Sequence, residues 1–197
     1  MCRRCTLTRT FRKNFLRASR HERTDGRPVR GGTRILGIDP GSRLTGYGFI
    51  DVRGGQTVLV DWGTIRTAGD HSSRLRQIFG EVAALVARYQ PVEVAIERVF
   101  VRRNADSALK LGQARAAALC GTFQAELPIF EYATRHIKKA VVGSGAADKT
   151  QVQHMVKMLL AMNDEPQADA ADALAVALCH SYERNTHALL REFAVQS

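Results

Sequence analysis

The stretch RILGIDPGSRLTGYGFIDV, residues 34–52, holds two strand signals on either side of a turn signal. Residues 34–39 are short and almost wholly apolar before they end in a carboxylate, which is typical of a buried strand. The triplet Pro-Gly-Ser at residues 40–42 favours a turn, and residues 45–52 then have the composition of a second strand. The segment therefore predicts two adjacent strands, with Asp39 at the end of the first.

Beyond residue 52 the pattern alternates strands with helices. A hairpin turn is predicted at residues 54–55, and a helix cap at Ser72 or Ser73. The further predicted elements are a strand at 57–65, a helix as far as 89, a strand at 92–97, a helix at 104–124, a strand at 129–132 and helices near 149–162 and 166–184. This succession predicts an α/β fold in which helices flank a mixed five-stranded sheet. We expect the first strand in the middle, between the antiparallel strands and the later parallel ones.

Most of the positive charge lies at the start of the chain. The net charge is +10 over 197 residues, yet residues 1–34 alone contain ten arginines and one lysine against two acidic residues. We expect a disordered basic N-terminal extension at 1–33, one domain at 34–184 and a C-terminal tail at 185–197. Three explanations of the extension stay open: a translation start that really lies at the codon read as Val29, a targeting peptide, or an arm that binds phosphates without specificity.

Several classes of protein are excluded by the sequence pattern. No apolar run approaches the roughly 18 residues of a membrane-spanning helix, and no apolar segment of a secretory signal follows the basic start, so we expect a cytoplasmic protein without membrane association. Cys2 and Cys5 form an isolated C-x-x-C pair that lacks the further ligands of a structural zinc site. Residues 143–150 resemble a P-loop only superficially, because Asp148 stands where that pattern requires glycine before Lys149.

Four acidic residues are candidates for a common site. Asp39 and Glu97 each follow an apolar strand, and the carboxyl ends of parallel strands meet at the edge where open α/β sheets bind ligands. Asp169 and Asp172 are three residues apart in a predicted helix, so they share a face that continues with small apolar residues. That face is expected to pack on the sheet and to bring both acids towards the strand ends.

A cluster of four carboxylates needs a positive charge nearby. Like charges that are partly removed from water repel each other, and the dipole of one helix contributes only about 1 kcal/mol. Oxygen ligands are typical of Mg²⁺ or Mn²⁺ sites, and two such ions can cleave a phosphodiester. The sequence therefore predicts a metal-dependent nuclease, with acids that merely end strands and cap a helix as the alternative.

Four segments resemble signatures of one family. Residues 35–48, ILGIDPGSRLTGYG, resemble the opening strand-turn-strand of the RuvC crossover junction endonucleases. Residues 97–100 (ERVF), 104–115 (NADSALKLGQAR) and 166–175 (PQADAADALA) resemble its other signatures. The resemblance covers residues 34 to about 183, in order and at the spacing of the family.

The resemblance implies a ribonuclease H-like fold and a homodimer that resolves Holliday junctions by paired, symmetric cuts during recombination and DNA repair. It implies Mg²⁺ as the cofactor. The oxygen donor set and the chemistry of phosphodiester cleavage predict that Mn²⁺ can substitute and that each active site holds two ions. It places the metal-binding, catalytic acids at Asp39, Glu97, Asp169 and Asp172. The partners implied are four-way junction DNA and the RuvA–RuvB branch-migration complex.

The resemblance also assigns residues that contact DNA. Lys138 and Lys149 fall at catalytically important lysines of the family, and Phe100 falls at an aromatic that stacks on bases at the branch point. The other DNA-binding candidates are the basic residues around the predicted cleft: Arg98, Arg102, Arg103, Lys110, Arg115, Arg135 and Lys139. Their alternative is an ordinary solvated surface, and that of Phe100 is core packing.

Two other functions are weighed against this one. Residues 37–42 also resemble the first phosphate loop of actin-like nucleotide-binding proteins, but those proteins need two related domains and this chain has the length of one. A catalytically silent protein that only binds junctions is the other candidate, and the presence of all four acids argues against it.

Overall fold

Five strands form one mixed sheet in the computed structural model, which describes residues 32–98 and 105–195 and the side chains as far as residue 186. The strands are β1 (Thr33–Asp39), β2 (Leu44–Arg53), β3 (Gln56–Arg66), β4 (Glu93–Arg98) and β5 (Ile129–Ala133). Their order is β3-β2-β1-β4-β5, with β1 antiparallel to β2 and parallel to β4. The prediction of a mixed sheet with the first strand in the middle is confirmed.

Helices cover both faces of this sheet. They are α1 (His71–Tyr89), α2 (Ala105–Cys120), α3 (Thr134–Val142), α4 (Lys149–Leu159) and α5 (Ala168–Val195). Successive side chains of a strand point to opposite faces, so β1 contributes to two separate cores. Ile35 packs in the core that α3, α4 and α5 cover, whereas Leu36 packs in the core under α1 and α2.

The starts of α1 and α3 differ from the prediction. Asp70 caps α1, because its carboxylate accepts a hydrogen bond from the backbone nitrogen of Ser73 at 2.8 Å. Ser72 and Ser73 therefore lie in the first turn, and their prediction as caps is wrong; aspartate caps as well as serine and adds a favourable negative charge. Helix α3 was not predicted at all, because it has nine residues and its N-cap, Ala133, offers no capping side chain.

The ends of α2 and α5 also differ from the prediction. Helix α2 ends at Cys120, since Gly121 follows it, and a turn of 3-10 helix (Phe123–Ala125) replaces its predicted last residues. Helix α5 continues to Val195, well past residue 184, because residues 185–195 contain neither glycine nor proline to stop it. In the part of the chain that the structure describes, no helix combines the length and the apolar character needed to cross a membrane.

Helix α5 packs directly on the backbone of the two central strands. A Cβ atom added to Gly46 of β2 would lie 1.9 Å from the carbonyl oxygen of Asp169, and one added to Gly37 of β1 would lie 2.1 Å from that of Ala173. Only residues without a side chain allow the helix to come this close. The first turns of α5 are thereby held against the middle of the sheet.

A buried ion pair between β1 and β2 also connects the sheet to α1. Arg34 of β1 forms two bonds to the carboxylate of Asp51 on β2, at 2.8 and 2.9 Å, and donates a third to the carbonyl oxygen of Tyr89 at 2.8 Å. Arg34 and Asp51 are 2% and 5% exposed. Because Tyr89 is the last residue of α1, this arginine fixes the end of that helix against β1.

Replacing Arg34 by methionine should lower the free energy of unfolding by about 3–5 kcal/mol, because Asp51 would remain buried without its partner. Chemical denaturation of both proteins measures this difference. Replacing Asp51 by leucine as well should recover a large part of the loss, since no unpaired charge then remains. A loss below about 1 kcal/mol for the single variant would contradict the interpretation.

Candidate active site

Two of the predicted acids lie next to each other at one edge of the sheet. Asp39 ends β1, and Glu97 lies one residue before the end of β4. The two strands are parallel, and their last paired residues, Ile38 and Ile96, directly precede the acids. Both acids are partly exposed, although the residues before them are buried. The parallel pairing of these two strands, on which the sequence argument depended, is thus present.

Helix α5 brings the other two acids to the same edge. Asp39 pairs with Gly46 of β2, and Gly46 lies against the backbone of Asp169. Asp169 is in the first turn of α5, where the helix dipole favours a negative charge, and Asp172 follows almost one turn later. Both residues are partly buried. Three separate segments, β1, β4 and α5, therefore contribute acids to this edge.

The electrostatics of Asp39 reflect this crowding. Burial raises the pKa of its carboxyl most, the negative charges of Asp172, Glu97 and Asp169 raise it further in that order, and the pKa reaches about 8. The positive charge of Lys149 lowers this pKa, but by less than the other effects raise it. Burial is also the largest cause of the raised pKa of Asp172, and the positive charge of Lys149 opposes it by lowering that pKa. Carboxyl groups gathered without enough positive charge tend to keep a proton.

The donor set suits a hard divalent cation. All four groups are carboxylates, and Mg²⁺ and Mn²⁺ prefer oxygen ligands. Within residues 32–98 and 105–186, however, no three histidine, cysteine or acidic side chains are already spaced to hold an ion. Without a counter-ion such carboxylates repel one another, and Asp172 binds a lysine instead. The residues fit a divalent ion by their chemistry and by the crowding around Asp39, whereas the complete ligand set stays a prediction.

Lys149 is a cation in contact with this group of acids. Its Nζ lies 3.3 Å from Oδ2 of Asp172, and that charge is the largest cause of the raised pKa of Lys149. Lys149 begins α4 because Asp148 caps the helix in a reciprocal pair of hydrogen bonds with Gln151. A lysine at the positive end of a helix is unfavourable for that helix. Its position there is consistent with a role at the acids and not in the stability of α4.

Lys138 lies on the same side of the site. Its Nζ donates to the carbonyl oxygen of Ala147 at 2.6 Å, which ties α3 to the loop that leads into α4. Its charge also lowers the pKa of Asp172, though by less than the charge of Lys149 does. Of the two predicted lysines, Lys149 thus contacts an acid directly, while Lys138 acts on it from a greater distance.

Glu97 has a hydrogen-bond partner that was missed in the sequence. The hydroxyl of Thr134 donates to Oε1 of Glu97. Thr134 begins α3 directly after β5, and β5 is the parallel neighbour of β4. The available signal was a hydroxyl residue just after the strand of residues 129–132, but its use required the pairing of the strands and a helix that was not predicted.

Two basic candidates are already paired with an acid in this region. Arg115 on α2 lies 2.5 Å from Glu131 and donates a long bond of 3.5 Å to the carbonyl oxygen of Glu97. Arg98 lies 3.7 Å from the same Glu131. The side chain of Arg98 is 54% exposed and that of Arg115 only 20%. Arg98 is therefore open to a further partner, whereas Arg115 connects α2 with β4 and β5.

The remaining DNA-binding candidates are spread over several elements. Arg135 and Lys139 are exposed on α3. Lys110 pairs with Asp106 one turn earlier in α2, at 2.6 Å, and is 48% exposed. The candidates Phe100, Arg102 and Arg103 lie outside the described residues.

Comparison with known proteins identifies one family over most of the chain. A family model described as Crossover junction endodeoxyribonuclease RuvC matches residues 35–180. A protein with this name from Tolumonas auensis is 55% identical over 155 residues, which cover 78% of this chain and 90% of the relative. One from Shewanella pealeana is 58% identical over 147 residues, covering 74% and 85%.

Solved structures show the same fold. The RuvC of T. thermophilus in complex with a Holliday junction substrate has a TM-score of 0.74 at 31% identity, covering 79% of this chain and 96% of that one. The yeast mitochondrial Holliday junction resolvase Ydc2 has a TM-score of 0.61 at 14% identity, covering 87% and 89%, and at this identity shows the fold alone. The predicted ribonuclease H-like fold is confirmed.

Proposed function

The chain belongs to the family of RuvC crossover junction endodeoxyribonucleases, and we propose that its active site is the group of acids around Asp39. As a member of this family it is a divalent-metal-dependent hydrolase that cuts DNA at crossover junctions. The proposed metal ligands are the four carboxylates: Asp39, Glu97, Asp169 and Asp172. The observation that carries the proposal is that the ends of β1 and β4 and the first turns of α5 bring acids to one edge of the sheet. Burial and the three other acids there raise the pKa of Asp39 to about 8. Such crowding is unfavourable in a protein unless a cation relieves it.

We propose Mg²⁺ as the natural ion, with Mn²⁺ able to substitute and two ions in each site. Bound ions of this kind supply an activated water and neutralise the leaving oxygen in phosphodiester cleavage. The chain itself holds the acids in place. Asp39 and Glu97 are set by neighbouring strand ends, and Asp169 is set by the direct packing of α5 on Gly46. Acids carried on strands and a packed helix are positioned more accurately than acids on loops.

The lysines would bind the phosphate that is cut. Lys149 is 72% exposed, so its side chain can turn from Asp172 to a phosphate oxygen once another cation neutralises the acid. Lys138 would stabilise the loop before α4 and add positive charge near Asp172 without contacting it. Further proposed contacts to the DNA are the remaining candidates from the sequence: Arg98, Phe100, Arg102, Arg103, Lys110, Arg115, Arg135 and Lys139. Of these, Arg115 would first have to leave Glu131.

The proposed substrate is a four-way DNA junction, resolved by symmetric cuts in two strands. The T. thermophilus relative was solved with such a substrate. Two cuts need two active sites, so we propose a homodimer. Helix α2 supports this, because among its 16 residues only Ala114 and Ala118 are buried, while Leu109 is 62% exposed. A second copy of α2 would cover the exposed side chain of Leu109.

Three further expectations rest on family membership and on the proposed DNA substrate. They are association with the RuvA–RuvB branch-migration complex, a cytoplasmic location, and a nuclease domain at residues 34–184 between the extension at 1–33 and the tail at 185–197. Dimer formation and association with RuvA–RuvB would both be measured with purified proteins in the presence of junction DNA.

The test of the proposed function is cleavage of a synthetic four-way junction by the purified full chain. With Mg²⁺ we expect paired nicks in two opposed strands, and with an excess of a strong chelator we expect binding without cleavage. A linear duplex of the same sequence is the control for selectivity. Cleavage that persists in the chelator would refute the metal-dependent mechanism. Junction binding without cleavage, whichever divalent metal is added, would favour the alternative of a catalytically silent junction-binding protein.

Replacing Lys149 by methionine should lower the single-turnover cleavage rate about 100-fold at saturating Mg²⁺ and junction, because one cation that stabilises the transition state is lost. Junction affinity should change little, since many other basic residues contact phosphates. Lys157→Met, in the last turn of the same helix, is the matched control and should cut at the wild-type rate. An unchanged rate for the Lys149 variant would remove its proposed role.

A further inference from the structure

We propose that Thr134 is a positioning residue that holds the carboxylate of Glu97 in the orientation needed to bind a divalent cation. The proposal rests on the proposed function, because it takes Glu97 as a metal ligand. The hydroxyl of Thr134 donates to Oε1 of Glu97. This bond engages one carboxylate oxygen and leaves Oε2 for coordination.

The position of the hydroxyl is set by regular structure on both sides. Thr134 follows Ala133, the last residue of β5, which pairs in register with Arg98 directly after Glu97. It is also the first residue of α3. Threonine is branched at Cβ and has few side-chain conformations, so fixing its backbone also fixes the direction in which the hydroxyl can donate.

Glu97 gains most from such a restraint because its own side chain is flexible. A glutamate has three side-chain torsions, the last of them broad, so its carboxylate can adopt many orientations. The backbone of Glu97 is held separately, by its place in β4 and by the long bond from Arg115 to its carbonyl oxygen. Thr134 therefore acts on the carboxylate and not on the strand.

Hydrogen bonds from a neighbouring residue to a metal ligand fix the orientation of that ligand, and their loss typically weakens metal binding 10–100-fold. Thr134 is exposed, so its substitution leaves no cavity in the core. Valine has nearly the shape of threonine without the hydroxyl, whereas serine keeps the hydroxyl. The pair Thr134→Val and Thr134→Ser therefore separates the hydrogen bond from the shape of the side chain.

The first experiment measures binding of Mn²⁺ to the full chain without DNA, from the signal of free Mn²⁺ in electron paramagnetic resonance. Thr134→Val should bind Mn²⁺ at least about tenfold more weakly than the wild type, and Thr134→Ser should stay within about threefold. Thr186→Val is the matched control, because the hydroxyl of Thr186 bonds to Tyr182 within α5. Its affinity should be that of the wild type.

The second experiment measures junction cleavage as a function of metal concentration. The concentration of Mn²⁺ at half-maximal rate should rise about tenfold for Thr134→Val, while the rate at saturating Mn²⁺ should approach that of the wild type. A residue with a merely structural role would instead lower the rate at every concentration of metal. Thr134→Ala serves as a second variant without the hydroxyl, should the valine variant unfold at a lower temperature.

Two outcomes would overturn the proposal. One is a Mn²⁺ affinity of Thr134→Val and Thr134→Ala within twofold of the wild type while Glu97→Gln binds much more weakly; Glu97 would then be a ligand that needs no support. The other is wild-type Mn²⁺ binding and cleavage by both Glu97→Gln and Asp39→Asn. In that case the proposed active site itself fails, and the positioning role fails with it.

Discussion

Replacing Asp39 by asparagine is expected to abolish junction cleavage and to leave junction binding close to that of the wild type. Asparagine keeps the shape of aspartate but removes the carboxylate that would bind the metal. Burial and three other acids raise the pKa of the Asp39 carboxyl to about 8. The proposed metal site would lose a central ligand, and we expect a fall in rate of at least about 1000-fold. The exposed basic residues that are proposed to bind phosphates are untouched.

The measurement is a single-turnover cleavage assay alongside a binding assay in a chelator. Asp61→Asn is a matched control on β3, because Asp61 accepts a hydrogen bond from Tyr89 and is not among the proposed ligands. That variant should still cut junctions. If Asp39→Asn cuts at the rate of the wild type, the assignment of the active site is wrong.

The same variant should be more stable than the wild type when no metal is present. The pKa of Asp39 is raised from 3.8 to about 8 in the folded protein, so the folded state holds this proton more tightly than the unfolded state. The wild type therefore loses stability as the pH rises from about 4 to about 8, and asparagine, which cannot ionise, avoids this loss. A tenfold difference in proton affinity between the two states corresponds to about 1.4 kcal/mol, and we expect a gain of about 2 kcal/mol or more at pH 8.

Melting curves in a chelator at several pH values measure this gain. For a chain of this size 2 kcal/mol corresponds to a difference in Tm of about 4–8 °C. The difference should vanish near pH 4 and reach a plateau above pH 8, and added Mg²⁺ should stabilise the wild type more than the variant. Equal Tm values at every pH would contradict the crowding of acids around Asp39.

The second large effect is expected from Gly46→Ala. The added methyl group would lie 1.9 Å from the carbonyl oxygen of Asp169, so helix α5 must move away from β2 by more than about 1 Å to restore an ordinary contact. A displacement of about 1 Å in an active site can cost about 100-fold in rate, and overpacking typically costs 1–3 kcal/mol of stability. We expect a folded protein that cuts junctions at least about 100-fold more slowly.

Gly80→Ala is the control for this substitution. Gly80 lies inside α1, and a Cβ atom there would meet nothing within 4 Å. Alanine in a helix is about 1 kcal/mol more favourable than glycine, so this variant should be at least as stable as the wild type and equally active. Wild-type cleavage by Gly46→Ala would show that α5 need not pack this closely for its acids to act.

The order of the sheet could be predicted because its signals are local. Residues 34–39 form an apolar run that ends in a carboxylate, and the hairpin at residues 54–55 leaves little freedom for the next strand. The positions of Asp39 and Glu97 follow from these strand ends. In contrast, α3 could not be predicted, because Ala133 offers no cap and nine residues give a weak helical pattern.

Contacts between distant side chains were also beyond the sequence. The bond between Thr134 and Glu97 depends on the register of β4 with β5, which no local pattern sets. Likewise, Arg115 of α2 was predicted as a DNA contact, and its ion pair with Glu131 of β5 was not foreseen. Such pairs depend on where three elements meet, and a list of charges along the chain does not contain that information.

The late position of α5 in the chain has a consequence for synthesis on the ribosome. All five strands precede residue 134, whereas Asp169 and Asp172 belong to the last helix. A nascent chain can form its sheet before these two acids have left the exit tunnel, and at that stage it lacks half of the proposed metal ligands. The complete set of proposed metal ligands therefore exists only after nearly the whole domain has emerged.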